Sequence, residues 1–284
     1  MLPALPARPE ESHKGSYGKV LIIAGSRGMS GAAALAGAGA LRGGAGLVTV
    51  AVPKSIQAIV AAIEPSYLTA ELPEDDQGRF SKDAVRLAIR MCARSSVAAI
   101  GPGWGTSADL DQFGQFLYST VDRPLVVDAD ALSGLARAPQ GFTTMPPVAP
   151  RILTPHAGEF ARLIGSDTAA VQADREGLAV DFAARNNVVL VLKGHGTIIT
   201  DGRRLAVNMT GNAGMATGGT GDVLTGLIAA LLAQQMEPFD AAHLAAHLHG
   251  LAGDLAAADL GAHSLVASDL PRYLGKAFRQ AAGA

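Results

Sequence analysis

Residues Gly211 to Asp222 read GNAGMATGGTGD, and the run behind them, Val223 to Gln234, reads VLTGLIAALLAQ. The first is a glycine-rich loop and the second a strongly apolar helix, so the pair predicts a loop feeding straight into a buried helix that begins near Asp222. Gly218, Gly219 and Gly221 leave backbone N–H groups bare just before that helix. A helix N-terminus with exposed amides binds phosphate oxygens and stabilises charge developing on a phosphoryl group. Asp222 beside such an anion hole can accept a proton from an attacking hydroxyl. An Asp at a helix start also commonly caps it, and the helix dipole favours the ionised form, which weakens it as a base.

Working outward, the same unit recurs: a short β-branched run, a Gly-rich turn, then a helical stretch. Lys19 to Ala24 (KVLIIA) reads as a buried strand before GSRGMSG, and Gly31 to Arg42 as an Ala-rich helix ended by Gly43 and Gly44. Further strands are expected at Leu47 to Val52, Val97 to Ile100 (before GPGWG) and Leu125 to Val127 (before DADAL). Others are expected at Arg151 to Leu153 (before TPHAGEF) and Val188 to Leu192 (before KGHGT). Thr197 to Thr200 and Arg204 to Val207, around Asp201-Gly202, read as a hairpin. Continuous apolar strands alternating with helices predict an α/β fold: a mostly parallel central sheet with helices on both faces. Ligands of such sheets bind at the carboxyl ends of the strands, where every Gly-rich motif falls. No linker or repeat interrupts the pattern, so residues 1–284 are read as one domain.

Composition agrees with a globular chain. Of 284 residues, 49% are hydrophobic and 17% charged, enough for a sizeable core. A formal net charge of −2 offers no electrostatic case for nucleic acid. Cys92 is the only cysteine, which excludes an internal disulfide and a Cys-based zinc site. The apolar stretches are too short to cross a bilayer, and the N-terminus lacks the pattern of a signal peptide. A cytoplasmic protein is expected, with no nucleic-acid or membrane partner.

Other motifs carry two readings each. Lys193 of KGHGT either ends a strand before an ordinary turn or stands near phosphate. His156 is either a structural histidine or a ligand contact. Glu159 either caps the helix after TPH, the favoured reading, or helps to hold a hydrated Mg²⁺. Asp128 and Asp130 either bind a metal or ribose, or one of them caps the next helix. Gly101 and Gly103 border the site or make a tight turn around Pro102. The GSRGMSG loop has GxxGxxG spacing, and the next strand ends in Pro53-Lys54 without an acidic residue, so ordinary dinucleotide redox binding is not expected. His243, His247 and His249 lack the HExxH pattern, so a packed or exposed helix is preferred over a metal site, and no metal-ligand set is assigned.

Seven strings occur here in one order: HKGSYGKVLIIAGSRGMSGAA, GPGWG, VVDADAL, ILTPHAGEF, VLKGHGTII, NMTGNAGMATGGTGDVLTG and HLHGLAGDLAA. From about Ser12 to about Gly275 the chain resembles the ADP-dependent NAD(P)H-hydrate dehydratase family of the ribokinase-like superfamily. Ala157 and Ala213 stand where that family often has Pro. The resemblance implies a ribokinase-like fold and a reaction on NADHX or NADPHX, the hydrated reduced cofactors, with ADP as co-substrate and Mg²⁺ as cofactor. Phosphoryl transfer from ADP to the ring hydroxyl makes a leaving group, and the products are NAD(P)H, AMP and phosphate. It further implies that Asp222 is the catalytic base and that Ala33, Gly103, His156 and Asp222 contact the hydrate. Lys193, Gly194, His195, Gly196, Thr197 and Gly221 would then hold the nucleotide. A separate NAD(P)H-hydrate epimerase is the implied functional partner, and a homotetramer the implied assembly. The rivals are a ribokinase-like kinase of a vitamin-type alcohol, which would share Asp222, and a non-catalytic nucleotide sensor.

Overall fold

The computed structural model describes residues 2–139, 141–142 and 145–283. Its nine described strands are β1 (Lys19–Ile23), β2 (Leu47–Pro53), β3 (Leu68–Leu72), β4 (Val97–Ile100), β5 (Leu125–Val127), β6 (Arg151–Leu153), β7 (Val189–Leu192), β8 (Thr197–Thr200) and β9 (Leu205–Asn208). They form one sheet in the order β3-β2-β1-β4-β5-β6-β7-β8-β9. β1 to β7 run parallel, and β8 and β9 close one edge antiparallel, joined by the expected hairpin.

Alternation along each strand divides the core. Val20 and Ile22 pack on one face of the sheet, Leu21 and Ile23 on the other. The first face carries α1 (Ser30–Arg42), α2 (Gln57–Ile63), α9 (Thr220–Ala233), α10 (Pro238–Leu260) and α11 (Leu270–Ala281). The second carries α3 (Ala84–Ala93), α4 (Ala108–Thr120), α5 (Ala129–Ala136), α6 (Ala157–Leu163), α7 (Thr168–Ala173) and α8 (Arg175–Asn186). Because both faces are covered, the parallel strands read as continuous apolar runs rather than alternating ones.

The buried helix behind the glycine loop is α9, every residue of which from Val223 to Ala233 is buried. It crosses α1 at backbone contact. A Cβ on Gly226 would lie 1.9 Å from the Ala36 carbonyl oxygen, and one on Gly39 would lie 2.3 Å from that of Val223. Alanine at either position would push the helices apart, so these glycines set how closely α9 sits over the sheet.

Several bounds differ by one or two residues from the sequence reading, and one strand is new. α9 starts at Thr220, so Asp222 is inside its first turn rather than at its start. The second hairpin strand is Leu205–Asn208, one residue later than expected. β3 was not expected: LTAEL is short and Leu68 is 54% exposed, because it is an edge strand pairing only with β2. Among the described residues no helix is long and apolar enough to cross a membrane.

Candidate active site

The strand order reverses between β1 and β4: the chain runs outward from β1 to β3, then returns to pair β4 with the other side of β1. Loops leave in opposite directions there and open a crevice. The two loops at that point are GSRGMSG and GPGWG, and they touch. Gly25 N donates to the Pro102 carbonyl at 2.7 Å, and a Cβ on Gly103 would lie 2.8 Å from that of Ala32. Trp104 anchors the second loop by donating from its indole N–H to Ile23 O at 2.9 Å. Asp130 holds it further by accepting from Gly105 N at 2.8 Å. Ala33, expected at the hydrate, is fully buried in the core beside Gly25. It offers no surface; the residues of this helix start that do are Ser30, Gly31 and Ala32.

A second cleft, of about 1040 Å³, opens beyond β6 to β9. Lys193, Gly194, His195, Gly196 and Thr197 form one wall, and Asn208 to Ala213 another. Thr220 and Gly221 of α9 form the floor, with His156 at one end and His249 of α10 against the loop. All six residues expected to hold the nucleotide therefore line a single cavity. His156, expected to serve a different ligand, lines it too, because Lys193 N donates to Pro155 O at 2.9 Å and draws the TPH and KGH loops together.

The helix start here is built for an anion. The N-cap of α9 is Gly219, in a left-handed conformation and with no side-chain cap bond; Thr220 N donates to Thr217 O and Asp222 N to Gly219 O, which leaves the Gly221 amide open. Thr220 Oγ1 is buried without a hydrogen-bond partner, and its carbonyl accepts from His249 Nε2 at 3.0 Å. The loop is tied down from α10 by Asp254, which accepts from Gly211 N at 2.9 Å and Asn212 Nδ2 at 3.0 Å. Burial lowers His249 to about 4 despite that bond, so it holds the loop without adding positive charge.

Asp222 is not a cap; no cap bond from a side chain exists at this helix. Its pKa is raised to about 7 by burial first, then by Asp128, with Lys193 opposing and Asp130 adding. Desolvation and like charge thus outweigh the dipole that would have kept it weakly basic. A carboxylate poised near neutrality is what a general base needs.

Lys193 is held by two carboxylates. Its ammonium donates to Asp128 Oδ1 at 2.8 Å and lies 4.0 Å from Glu159 Oε2. Burial works against its charge, but Asp128 and Glu159 outweigh it and hold the pKa above the usual lysine value. Asp128 occupies the N-cap position of α5 without a side-chain cap bond; the carboxylate turns to Lys193 and, through Oδ2, to Thr225 Oγ1 at 2.7 Å. The cap reading of Asp128 therefore does not hold. Glu159 does cap: it accepts from His156 N at 2.8 Å, while His156 Nδ1 accepts from Gly158 N and Glu159 N. The N-cap residue is His156. Its ring is thereby fixed with the proton on Nε2, which lies 3.5 Å from Glu159 Oε1.

Sequence reading missed His249, Thr225, Asn208 and Asp254. Their signal is only that they lie within strings already singled out; their partners are 29, 97, 38 and 43 residues away.

A family profile described as NAD(P)H-hydrate dehydratase matches residues 20–276. The chain belongs to that family. It is 44% identical over 272 residues to the bifunctional NAD(P)H-hydrate repair enzyme of Moorella thermoacetica, covering 95% of this chain and 51% of that protein. The chain spans about half the length of the bifunctional relatives it matches first. The ADP-dependent (S)-NAD(P)H-hydrate dehydratase of Neisseria meningitidis is 37% identical over 250 residues, covering 88% of this chain and 80% of that one. Among solved structures, the ADP/ATP-dependent NAD(P)H-hydrate dehydratase of Bacillus subtilis, co-crystallised with ATP and Mg²⁺, superposes with a TM-score of 0.83 at 33% identity. That match covers 98% of this chain and 94% of the other. The fold of this NAD(P)H-hydrate dehydratase family member is ribokinase-like.

Proposed function

We propose that this chain dehydrates (S)-NAD(P)H hydrate to NAD(P)H at the expense of ADP, releasing AMP and phosphate. The observation that carries the reading is Asp222, a carboxyl raised to about 7 in the first turn of α9. Gly221, whose amide is the open one of that turn, lines a cleft with Lys193 to Thr197.

The chemistry follows from what a hydrate ring requires. Hydroxide is a poor leaving group. Asp222 takes the hydroxyl proton as the oxygen attacks the terminal phosphorus of ADP, and AMP leaves. The open amide at Gly221 offsets charge on the transferring group, so catalysis is mainly positioning and electrostatics. Electrons from the ring nitrogen then expel phosphate by breaking the carbon–oxygen bond. Loss of a proton from the neighbouring carbon restores the ring double bond. The hydrate is assigned to the crevice of Gly103 and the α1 start and to the His156 end of the larger cleft, with the nucleotide along Lys193 to Thr197 and Gly221.

Mg²⁺ would travel with the nucleotide. Among the described residues no group of three or more His, Cys, Asp or Glu side chains is placed to hold a metal. Mg²⁺ would then be bound chiefly by phosphate oxygens and water, neutralising phosphate charge, with a nearby carboxylate such as Glu159 able to hold its water. A functional pairing with NAD(P)H-hydrate epimerase, a homotetrameric assembly and a cytoplasmic location complete the proposal.

The test is direct. The protein is incubated with chemically hydrated NADH and ADP, and recovery of NADH absorbance is followed. Parallel arms contain ATP, or hydroxymethylpyrimidine and hydroxyethylthiazole with either nucleotide. Recovery fastest with ADP is expected. Phosphorylation of a vitamin alcohol without NADH recovery would overturn the reading.

A further inference from the structure

Asp128 is buried at the end of β5, and both of its oxygens are engaged: Oδ1 by Lys193 Nζ at 2.8 Å and Oδ2 by Thr225 Oγ1 at 2.7 Å. Those partners come from the end of β7 and from α9, so three elements meet on one carboxylate. Thr225 is itself fully buried, three residues after Asp222 and therefore on the same helix face. A Cβ on Gly221 would lie 3.8 Å from Asp128 Oδ2 and 3.3 Å from Lys193 Nζ. The hub thus sits directly under the first turn of α9.

The backbone at Asp128 is held for this purpose. Ala129, the next residue, has φ of 50°, a left-handed conformation costly for a residue with a Cβ. Asp128 N donates to Ile100 O at 3.1 Å, and its carbonyl lies so close to Gly101 that a Cβ there would be 1.9 Å away. A carboxylate needed only to cap α5 would not be turned away from that helix into the sheet's end.

We propose that Asp128 is a positioning residue: through Thr225 and Lys193 it pins the first turn of α9 and the KGHGT loop to the end of β5, and so sets the place and proton affinity of the Asp222 carboxylate. This rests on reading Asp222 as the base. The groups facing Asp222 are few. Asp128 comes from β5, Asp130 from α5, and Lys193 from β7 with Glu159 of α6 behind it. His249 of α10 bonds the carbonyl of Thr220. From α1 none arises, since its one ionisable side chain, Arg42, is in the last turn; before α11, Asp269 accepts from Val266 N. Asp128 is the largest charged contributor to the raised value of Asp222, so its removal moves Asp222 down.

The experiment uses the full chain, labelled with ¹³C at aspartate carboxyls, with Asp222→Asn identifying the resonance of interest. In Asp128→Asn the Asp222 titration should shift down by about one pH unit. The acid limb of kcat/KM should move with it, and plateau turnover should fall roughly tenfold as the base weakens. An unchanged Asp222 titration overturns the proposal, even if the variant is less stable. Should Asp128→Asn not fold, Thr225→Val carries the test: kcat should fall about tenfold with KM held, and Thr225→Ser should restore it. Equal kcat in Val and Ser variants would overturn the pin. Near-normal turnover in Asp222→Asn would instead remove the base reading, while the titration shift would still be read by the resonance itself.

Discussion

His249 Nε2 on α10 lies 3.0 Å from the carbonyl oxygen of Thr220, the first residue of α9. The two helices meet there at the floor of the larger cleft, and the bond requires a proton on Nε2. Burial lowers the folded-state value to about 4 from 6.5.

That depression makes a pH prediction. The stability His249 contributes is fully present above about 6.5, where both states are neutral, and is lost as pH falls toward about 4, because the unfolded chain takes up the proton first. The loss is on the order of 3 kcal/mol. His249→Gln keeps a donor for Thr220 O without titrating. Denaturant unfolding of both proteins at several pH values should show the wild type losing more stability than the variant between pH 6.5 and 4. Parallel curves would contradict the assignment.

For Asp222 the sign reverses. Its folded value is about 7 against 3.8, so its contribution is fully present below about 3.8 and is lost as pH rises through about 7. Asp222→Asn should nearly abolish turnover, by roughly 10²–10⁴-fold, because Asn has the same shape but accepts no proton. The same variant should be more stable than wild type at pH 8, by roughly 2–4 kcal/mol, with the gap closing at pH 4. Turnover and melting temperature measured on one preparation test both. A variant that keeps normal turnover sinks the mechanism.

Gly218 offers a cleaner probe of the anion site. A Cβ there meets nothing within 4 Å, and its φ is not in the left-handed region, so neither packing nor backbone requires glycine. Gly218→Ala should leave the melting temperature within about 1–2 °C of wild type. It should weaken ADP binding about tenfold if phosphate approaches that backbone closely. Calorimetric titration with ADP settles it; unchanged affinity would move the phosphates elsewhere in the cleft.

His156 both caps α6 and lines the cleft, so alanine confounds two effects. His156→Ala should cost about 1 kcal/mol of stability through the lost cap. His156→Asn keeps a capping oxygen and removes Nε2. It should raise KM for the hydrate well above any change in ADP affinity, with stability preserved. If ADP affinity falls equally, Nε2 belongs to the nucleotide.

Much of the architecture was legible in one dimension. Each β-branched run followed by glycines marks a parallel strand with a ligand-facing loop, because apolar continuity and backbone freedom are local properties of composition. GTGD before an apolar run placed Asp222 within one helical turn of its position, and KGHGT named a wall of the cleft. LTAEL was not legible as β3, since an edge strand needs only one partner and leaves Leu68 in solvent.

Proton affinity and partnership belong to three dimensions. Nothing near Asp222 in the chain raises it to about 7; that follows from burial by α9's packing and from Asp128, which arrives from β5. Lys193 reads in its own string as standing near phosphate, and nothing there shows that its ammonium also pairs with a carboxylate 65 residues away. His249 looked like one of three histidines on a helix until α10 packed it against Thr220. Local sequence determines which backbone segments are free to bind, because that depends on φ, ψ and side-chain volume. The tertiary structure alone decides which charges share a low-dielectric space, because electrostatic energy depends on distance and burial rather than on order along the chain.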